Sequence, residues 1–426
     1  MAKYLKRFET HSQYEAFTAT TEFILPNVSY CVQEDDVHYN PSEGPQHDYS
    51  QDYLTFTALE NGTFQLSGNS VSYSLDDGAT WTTLASNTRS PTVNSGNTIM
   101  WKGELTPQSG IGKFYSTGKF EVQGNPMSLL YGDNFKGQTS LQGKNYAFFR
   151  LFSGCTGLES AENLSLPATT LASNCYGGMF DDCWSLTTAP SLPATTLADN
   201  CYASMFENCT SLTTAPELPA TTLATRCYAS MFAYCASLTT APQLPATTLA
   251  DYCYASMFEN CESLTTAPSV LPATTLADYC YYWMFMNCTS LTTAPSLPAT
   301  TLADYCYQEM FEGCVLLTTA PSLLATTLAQ GCYYYMFFGC TSLTTAPDLL
   351  ATTLEYECYF GMFYGCSSLN YIKCLATDIS AQDCTSAWVL DVAASGTFVK
   401  AAGMDGWDDV EEGSGIPENW AIQTAT

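Results

Sequence analysis

The stretch LPATTLADNCYASMFENCTSLTTAPE (Leu192–Glu217) recurs with substitutions eight times along this chain. The copies begin at Leu166, Leu192, Leu218, Leu244, Leu271, Leu297, Leu323 and Leu349, a step of 26 residues broken once by an inserted Val270. One such unit is too short to enclose its own apolar side chains. A fixed period of this length therefore predicts a solenoid, in which each coil buries its apolar face against its neighbours.

Counting the leading leucine as position 1, a single copy divides in two. Leu197, Cys201, Met205 and Cys209 recur every four residues, with Tyr202 and Phe206 beside them. Their spacing predicts an apolar stripe on a short helix. Position 8 is Ser173, Asp199, Thr225, Asp251, Asp278 or Asp304 in six copies, residues that cap helix N-termini. The segment after it, Leu212 to Pro216, reads as a short extended strand ended by proline. One strand and one helical segment per copy predict an α/β solenoid of the leucine-rich-repeat kind, with the threonine pairs (Thr187-Thr188 to Thr344-Thr345) forming a parallel sheet.

Helical phase places positions 10, 11, 14, 15 and 18 inward and positions 9, 12, 13 and 16 outward. Outward residues are small or polar in the early copies: Gly177, Gly178, Ala203, Ser204, Glu207, Ala229 and Ser230. In the later copies they become Tyr252, Tyr279, Tyr282, Trp283, Met286, Tyr305, Tyr334, Tyr335, Phe338, Phe360 and Tyr364. Rings on successive coils would form an exposed strip of the kind that marks a contact site. The alternative is repeat drift, with the rings folded back onto the rod. The ten aromatic members are the candidate partner-binding residues. The threonine ladder is good β-structure that needs no ligand, although its regular hydroxyls are a second candidate surface.

The flanks read differently. Residues 1–50 are mixed and hold all three histidines, His11, His38 and His47. Their spacing matches no metal-ligand motif. Residues 51–135 alternate with period two, as in Val71, Tyr73 and Leu75, and carry the turn pairs Asn61-Gly62 and Asp77-Gly78. They predict a small all-β, sandwich-like domain, with Trp101 and Trp81 read as core in preference to sugar platforms. Phe148 to Leu158 looks like the second half of a copy, a capping unit within a solenoid spanning 136–385. Residues 386–426 read as a C-terminal cap, whose acids (Asp405, Asp408, Asp409, Glu411, Glu412) read as a solvated loop in preference to a calcium site.

Charge narrows the partners. The chain has 13 basic and 41 acidic residues, a net charge of −28. Binding to nucleic acid needs the opposite sign, so none is expected. No apolar run reaches the length of a membrane span, and the opening MAKYLKRFET has a positive start without an apolar core, so neither membrane insertion nor Sec export is expected. Each copy carries two cysteines eight apart, such as Cys175 and Cys183; on a helix that is about 12 Å, too far for a disulfide within the copy. They read as buried, reduced thiols, with bonds between copies as the alternative. No metal site, cofactor or catalytic residue is expected: the repeats hold no histidine, and no G-x-S-x-G, H-E-x-x-H or phosphate-loop motif occurs.

The unit L-P…L…C-Y-x-x-M-F-x-x-C-x-S-L resembles the BspA-like (Treponema pallidum-type) leucine-rich repeats, over about residues 148–375. It is longer than that family's commonest unit and carries alanine (Ala189, Ala215) where a larger aliphatic residue is usual. The resemblance implies a surface or adhesive protein of Bacteroides-type bacteria or their phages. The ending GTFVKAAG…W…GIPENW is similar to endings such proteins carry. The opening FETHSQYEAF…ILPNVSYCVQEDDVHYNP resembles the start of Bacteroides phage virion-associated proteins, which implies an attachment segment docking on other virion proteins. Together these imply a non-enzymatic tail or head fibre or receptor-binding protein, located in the virion after assembly in the host cytoplasm. The solenoid would contact a host surface protein or glycan, in a homo-oligomer such as a trimer. A bacterial cell-surface adhesin of the same repeat class is the alternative.

Overall fold

The computed structural model describes residues 4–8, 28–32, 37–39, 47–108, 110–409 and 413–425. The chain divides into two compact units, Met1–Gln51 and Asp52–Thr426. In the first, strand β1 (Tyr4–Phe8) runs parallel to β2 (Val28–Val32), which pairs antiparallel with β3 (Val37–Tyr39). The side chains of His11 and His38 lie outside the described residues, as do those of Asp408, Asp409, Glu411 and Glu412.

The second unit opens on the segment with period-two alternation. Its strands are β4 (Leu54–Ala58), β5 (Phe64–Leu66), β6 (Val71–Ser74), β7 (Thr82–Leu84), β8 (Thr98–Lys102), β9 (Phe114–Ser116), β10 (Phe120–Gln123) and β11 (Leu158–Ser160). Six of them form one sheet in the order β11-β10-β4-β8-β6-β7, and β5 pairs with β9 in a second. Alternation decides which side is buried: Ile99 and Trp101 on β8, and Phe120 and Val122 on β10, face the core. Phe56 sits among the rings of Phe64, Trp101, Phe114 and Phe120 at centroid distances of 4.9–5.5 Å. Trp101 is thus core. Asp77-Gly78 lies in the connection between β6 and β7 with φ of 53° and 84°, as the central residues of a type I′ turn require. Asn61-Gly62 is not a hairpin turn: it leads from β4 to β5, in different sheets, and Gly62 pairs with Val93.

Nothing separates this sheet from the repeats. Phe152, in the half copy Phe148–Leu158, packs on Phe56 and Phe114 at 5.8 and 5.9 Å. Strand β11 of the same half copy adds to β10 in parallel, and Ser160 then bridges to Thr188. The sheet edge thereby becomes the first rung of a parallel series that continues through Thr214↔Thr240, Thr240↔Thr266, Thr293↔Thr319 and Thr345↔Tyr371. These are single-residue bridges, shorter than the strands expected. At the far end β12 (Tyr371–Cys374), β13 (Thr397–Lys400) and β14 (Ala421–Thr424) pair in parallel.

The helix expected in each copy is absent. Regular secondary structure is almost all sheet, with no closed barrel and one α-helix among the described residues, α1 (Ser128–Tyr131), outside the repeats. Positions 8 to 18 instead form a chain of four-residue turns. In the second copy the N–H groups of Cys201, Ala203, Met205, Glu207 and Cys209 donate to carbonyls three residues back, at 3.1–3.2 Å. The alternate ones, of Asn200, Tyr202, Ser204, Phe206 and Asn208, donate to Thr225, Cys227, Ala229, Met231 and Ala233 of the next copy, at 2.8–3.0 Å. Every backbone donor in the run is satisfied, half locally and half by the neighbour. The position-8 residues are therefore not helix caps.

Period explains why turns win. An α-helix advances about 100° per residue, so a strict four-residue recurrence drifts about 40° per turn around it. Turns of four residues hold Cys201, Met205 and Cys209 on one side without drift. The turns closed by Cys201, Met205 and Cys209 have positive φ at their third residues, as a type II turn requires, and positions 9, 13 and 17 supply it: Asn200 (56°), Ser204 (55°) and Asn208 (59°). The inward set expected from helical phase is nevertheless the buried set. Positions 10, 11, 14, 15 and 18 are fully enclosed from Cys175 to Cys366. Their rings stack from copy to copy in two ladders. One runs Tyr176–Tyr202–Tyr228 and onward to Tyr359, the other Phe180–Phe206–Phe232 to Phe363, with Phe180 and Phe206 parallel at 5.4 Å. Trp388 closes both.

Candidate binding face

Five of the ten candidate rings occupy positions where the turns demand positive φ: Tyr252 (56°), Tyr279 (55°), Trp283 (56°), Tyr305 (53°) and Tyr335 (49°). The first two copies fill these columns with Asn, Ser or Gly, and the third with Arg226 and Ser230. A bulky ring there costs on the order of 1–2 kcal/mol. Contact between rings offsets part of this, about 0.5–1.5 kcal/mol per pair.

All ten rings are half-exposed and all ten belong to one connected set. Tyr252, Tyr279 and Tyr305 stack in sequence at 4.6 and 5.1 Å. Tyr305 meets Tyr334 edge-on at 6.4 Å, and Tyr334 stacks on Phe360 at 4.9 Å. Tyr335 touches Tyr334, Phe338 and Phe360, and Phe338 touches Tyr364. On the other flank Tyr282 contacts Tyr279 and lies flat on Trp283 at 4.4 Å. The rings are folded onto one another along the face, so the two readings of the sequence meet: they are partly covered, by each other, and still open to solvent.

Polar residues that sequence reasoning passed over are built into the same face. Trp283 donates from Nε1 to Glu309 Oε2 at 2.6 Å, and Gln308 donates to the other oxygen of Glu309 at 2.8 Å. Tyr305 donates its hydroxyl to Glu357 Oε2 at 3.0 Å and accepts from Gln330 Nε2 at 2.7 Å. Burial, and then the neighbouring Glu309 carboxylate, push Glu312 up to about 8. Burial likewise raises Tyr334, to about 12. At the near end the Arg226 guanidinium lies 4.6 Å over the Tyr252 ring. A signal was available: Glu357, Glu309 and Glu312 stand at positions 9, 13 and 16, the outward columns that hold the rings.

The other faces are plainer. The threonines of the bridge series are largely exposed, and beside them runs an open groove of about 510 Å³ lined by Ala215, Leu218, Pro219, Ala241 and Pro242. Nineteen described cysteines are buried free thiols, and burial raises them away from the thiolate range, Cys201 and Cys314 to about 12. Among the described residues no three His, Cys, Asp or Glu side chains converge to hold a metal ion, and no helix is long and apolar enough to cross a membrane. No family model, no curated protein and no solved structure matches this chain.

Proposed function

We propose that the repeats stack into a solenoid of the leucine-rich-repeat class, and that the chain is a non-enzymatic virion component of a phage, a tail or head fibre or receptor-binding protein. In this reading residues 1–50 attach it to other virion proteins. The outward face from Tyr252 to Tyr364 meets the host cell surface, in a homo-oligomeric particle component. The observation that carries it is the connected set of ten half-exposed rings on an otherwise constant scaffold. Contiguous aromatic surface at strained backbone positions serves contact better than stability. The resemblance of the repeat unit and of the opening residues supplies the setting.

Two measurements test it. Mass spectrometry of purified phage particles is expected to find the chain, whereas recovery only in bacterial envelope fractions would make it a cell-surface adhesin. Changing Trp283→Ser, Tyr334→Ala and Tyr335→Ser restores residues found at those positions in earlier copies, so the scaffold is kept. This triple variant is expected to reduce host-cell binding at least tenfold. Unchanged binding would remove the face from the contact.

A further inference from the structure

We propose that this face takes a cationic polypeptide segment, one that presents arginine or lysine side chains, in preference to a neutral glycan. The inference rests on the reading above that the face is a contact surface, and it names the chemistry of the partner.

Three observations carry it. The first is charge. From Cys227 to Ile372 there is no lysine, arginine or histidine, while ten aspartates and glutamates occur in the same span. The half of the repeats that carries the rings thus has acids and no cation of its own. Such a surface attracts a basic partner and repels an acidic one.

The second is which parts of the rings remain open. Tyr279 has Tyr252 on one face at 4.6 Å and Tyr305 on the other at 5.1 Å. One face of Trp283 is covered by Tyr282. A sugar ring binds by stacking on a free aromatic face, and at Tyr279, in the middle of the stack, both faces are taken. There the stack offers solvent ring edges, and beside it carboxylate oxygen. Glu309 and Glu357 are held within it by hydrogen bonds from Trp283 and Tyr305. A partner that brings hydrogen-bond donors with positive charge matches that inventory.

The third is a precedent inside the molecule. The last cation before the acidic span is Arg226, and its guanidinium lies over the ring that begins the ladder, Tyr252, at 4.6 Å. The free end of the stack is already occupied by an arginine, in the geometry expected for a cation over an aromatic face. An incoming segment would bring the same group to Glu309 and Glu357 farther along the rings, in a span that has no cation of its own.

The test is a titration of the full chain, followed by calorimetry, with the peptide acetyl-(Arg-Ser)4-amide and with its counterpart carrying citrulline, which is neutral and of similar shape. The arginine peptide is expected to bind, with affinity falling as salt rises, and the citrulline peptide to bind at least tenfold more weakly. Glu309→Gln with Glu357→Gln is expected to weaken the arginine peptide about tenfold. Glu162→Gln with Glu217→Gln, which removes the same charge from a groove lined by Glu162, Leu192, Pro193 and Glu217, is expected to leave it within twofold. Equal binding of both peptides, equal loss in both double variants, or no binding would overturn the proposal. If the peptide fails while host-cell binding still falls in the Trp283, Tyr334 and Tyr335 variant, only the cationic partner is lost. If host-cell binding is insensitive to that variant, the contact reading itself fails.

Discussion

At the scale of single residues, the cysteines show how tightly the repeat is specified. The position-18 thiol donates to the carbonyl of the position-15 phenylalanine in the copy before: Cys209 to Phe180 at 3.2 Å, Cys261 to Phe232 and Cys340 to Phe311 at 3.1 Å. That carbonyl already accepts the N–H of its own copy's position 18, as Phe180 does from Cys183 at 3.0 Å. Both lone pairs of a fully buried oxygen are thus used, by a side chain small and apolar enough for the core. Glu312 is the opposite case, a carboxyl held where its charge is unwelcome, with burial the larger cause and Glu309 the smaller. Its folded value, about 8, lies above the ordinary 4.5, so the fold favours the protonated form. The stability it lends is complete below about pH 4.5 and is lost as pH rises through about 8. Glu312→Gln keeps a neutral side chain at every pH. Because the site is half-exposed the effect is small: a melting temperature about 1–3 °C above the parent at pH 9, converging with it at pH 5. Thermal unfolding at the two pH values checks this, and a constant offset would mean the charge is irrelevant.

At the scale of the element, the four-residue turn replaces the helix, and its positive-φ sites make it sensitive to substitution in a graded way. Gly339 (φ 69°) and Gly361 (φ 57°) both occupy such sites. A Cβ on Gly339 would meet nothing nearer than 3.9 Å, whereas one on Gly361 would collide with the Tyr335 ring. Gly339→Ala carries only the conformational cost, about 1 kcal/mol. Gly361→Ala carries that and displaces a ring of the candidate face, about 2–4 kcal/mol in all. Chemical denaturation is expected to rank them in that order, and equal losses would show that the ring yields freely. The sequence did announce these turns. Asn174, Asn200 and Asn208, with Gly178, Gly313, Gly339, Gly361 and Gly365, recur at positions 9, 13 and 17, and a spacing of four between residues that tolerate positive φ is a turn signal. The apolar stripe masked it, because over three turns a period of 4.0 and one of 3.6 bury nearly the same residues.

At the scale of the molecule, one core runs from Leu54 in the first sheet to Trp420 at the last, and each copy relies on the next for half its turn hydrogen bonds. Removing a whole copy, Leu192–Glu217, would bring Tyr176 onto Tyr228 and Phe180 onto Phe232 with every column in register. The protein is expected to stay folded and cooperative, its melting temperature lower by a few degrees (about 2–6 °C). Removing only Ala203 and Ser204 shifts the rest of that turn run by half its period. Met205 and Phe206 would then face solvent, and the variant is expected to misfold or aggregate. Circular dichroism with thermal melts separates the two, and tolerance of the short deletion would refute the four-residue register. Val270 shows where length is free: the extra residue sits in the exposed connection between copies, outside the turns. The period, the inward set and the ten outward rings were all legible in the sequence, because which residues recur together is a property of the chain alone. The choice of turn over helix, the fusion of the first sheet with the repeats, and the placing of Glu309, Glu357 and Arg226 among the rings were not. Each depends on groups 25 or more residues apart meeting across copies, and half of every turn's hydrogen bonds exist only once a neighbouring copy is there to accept them.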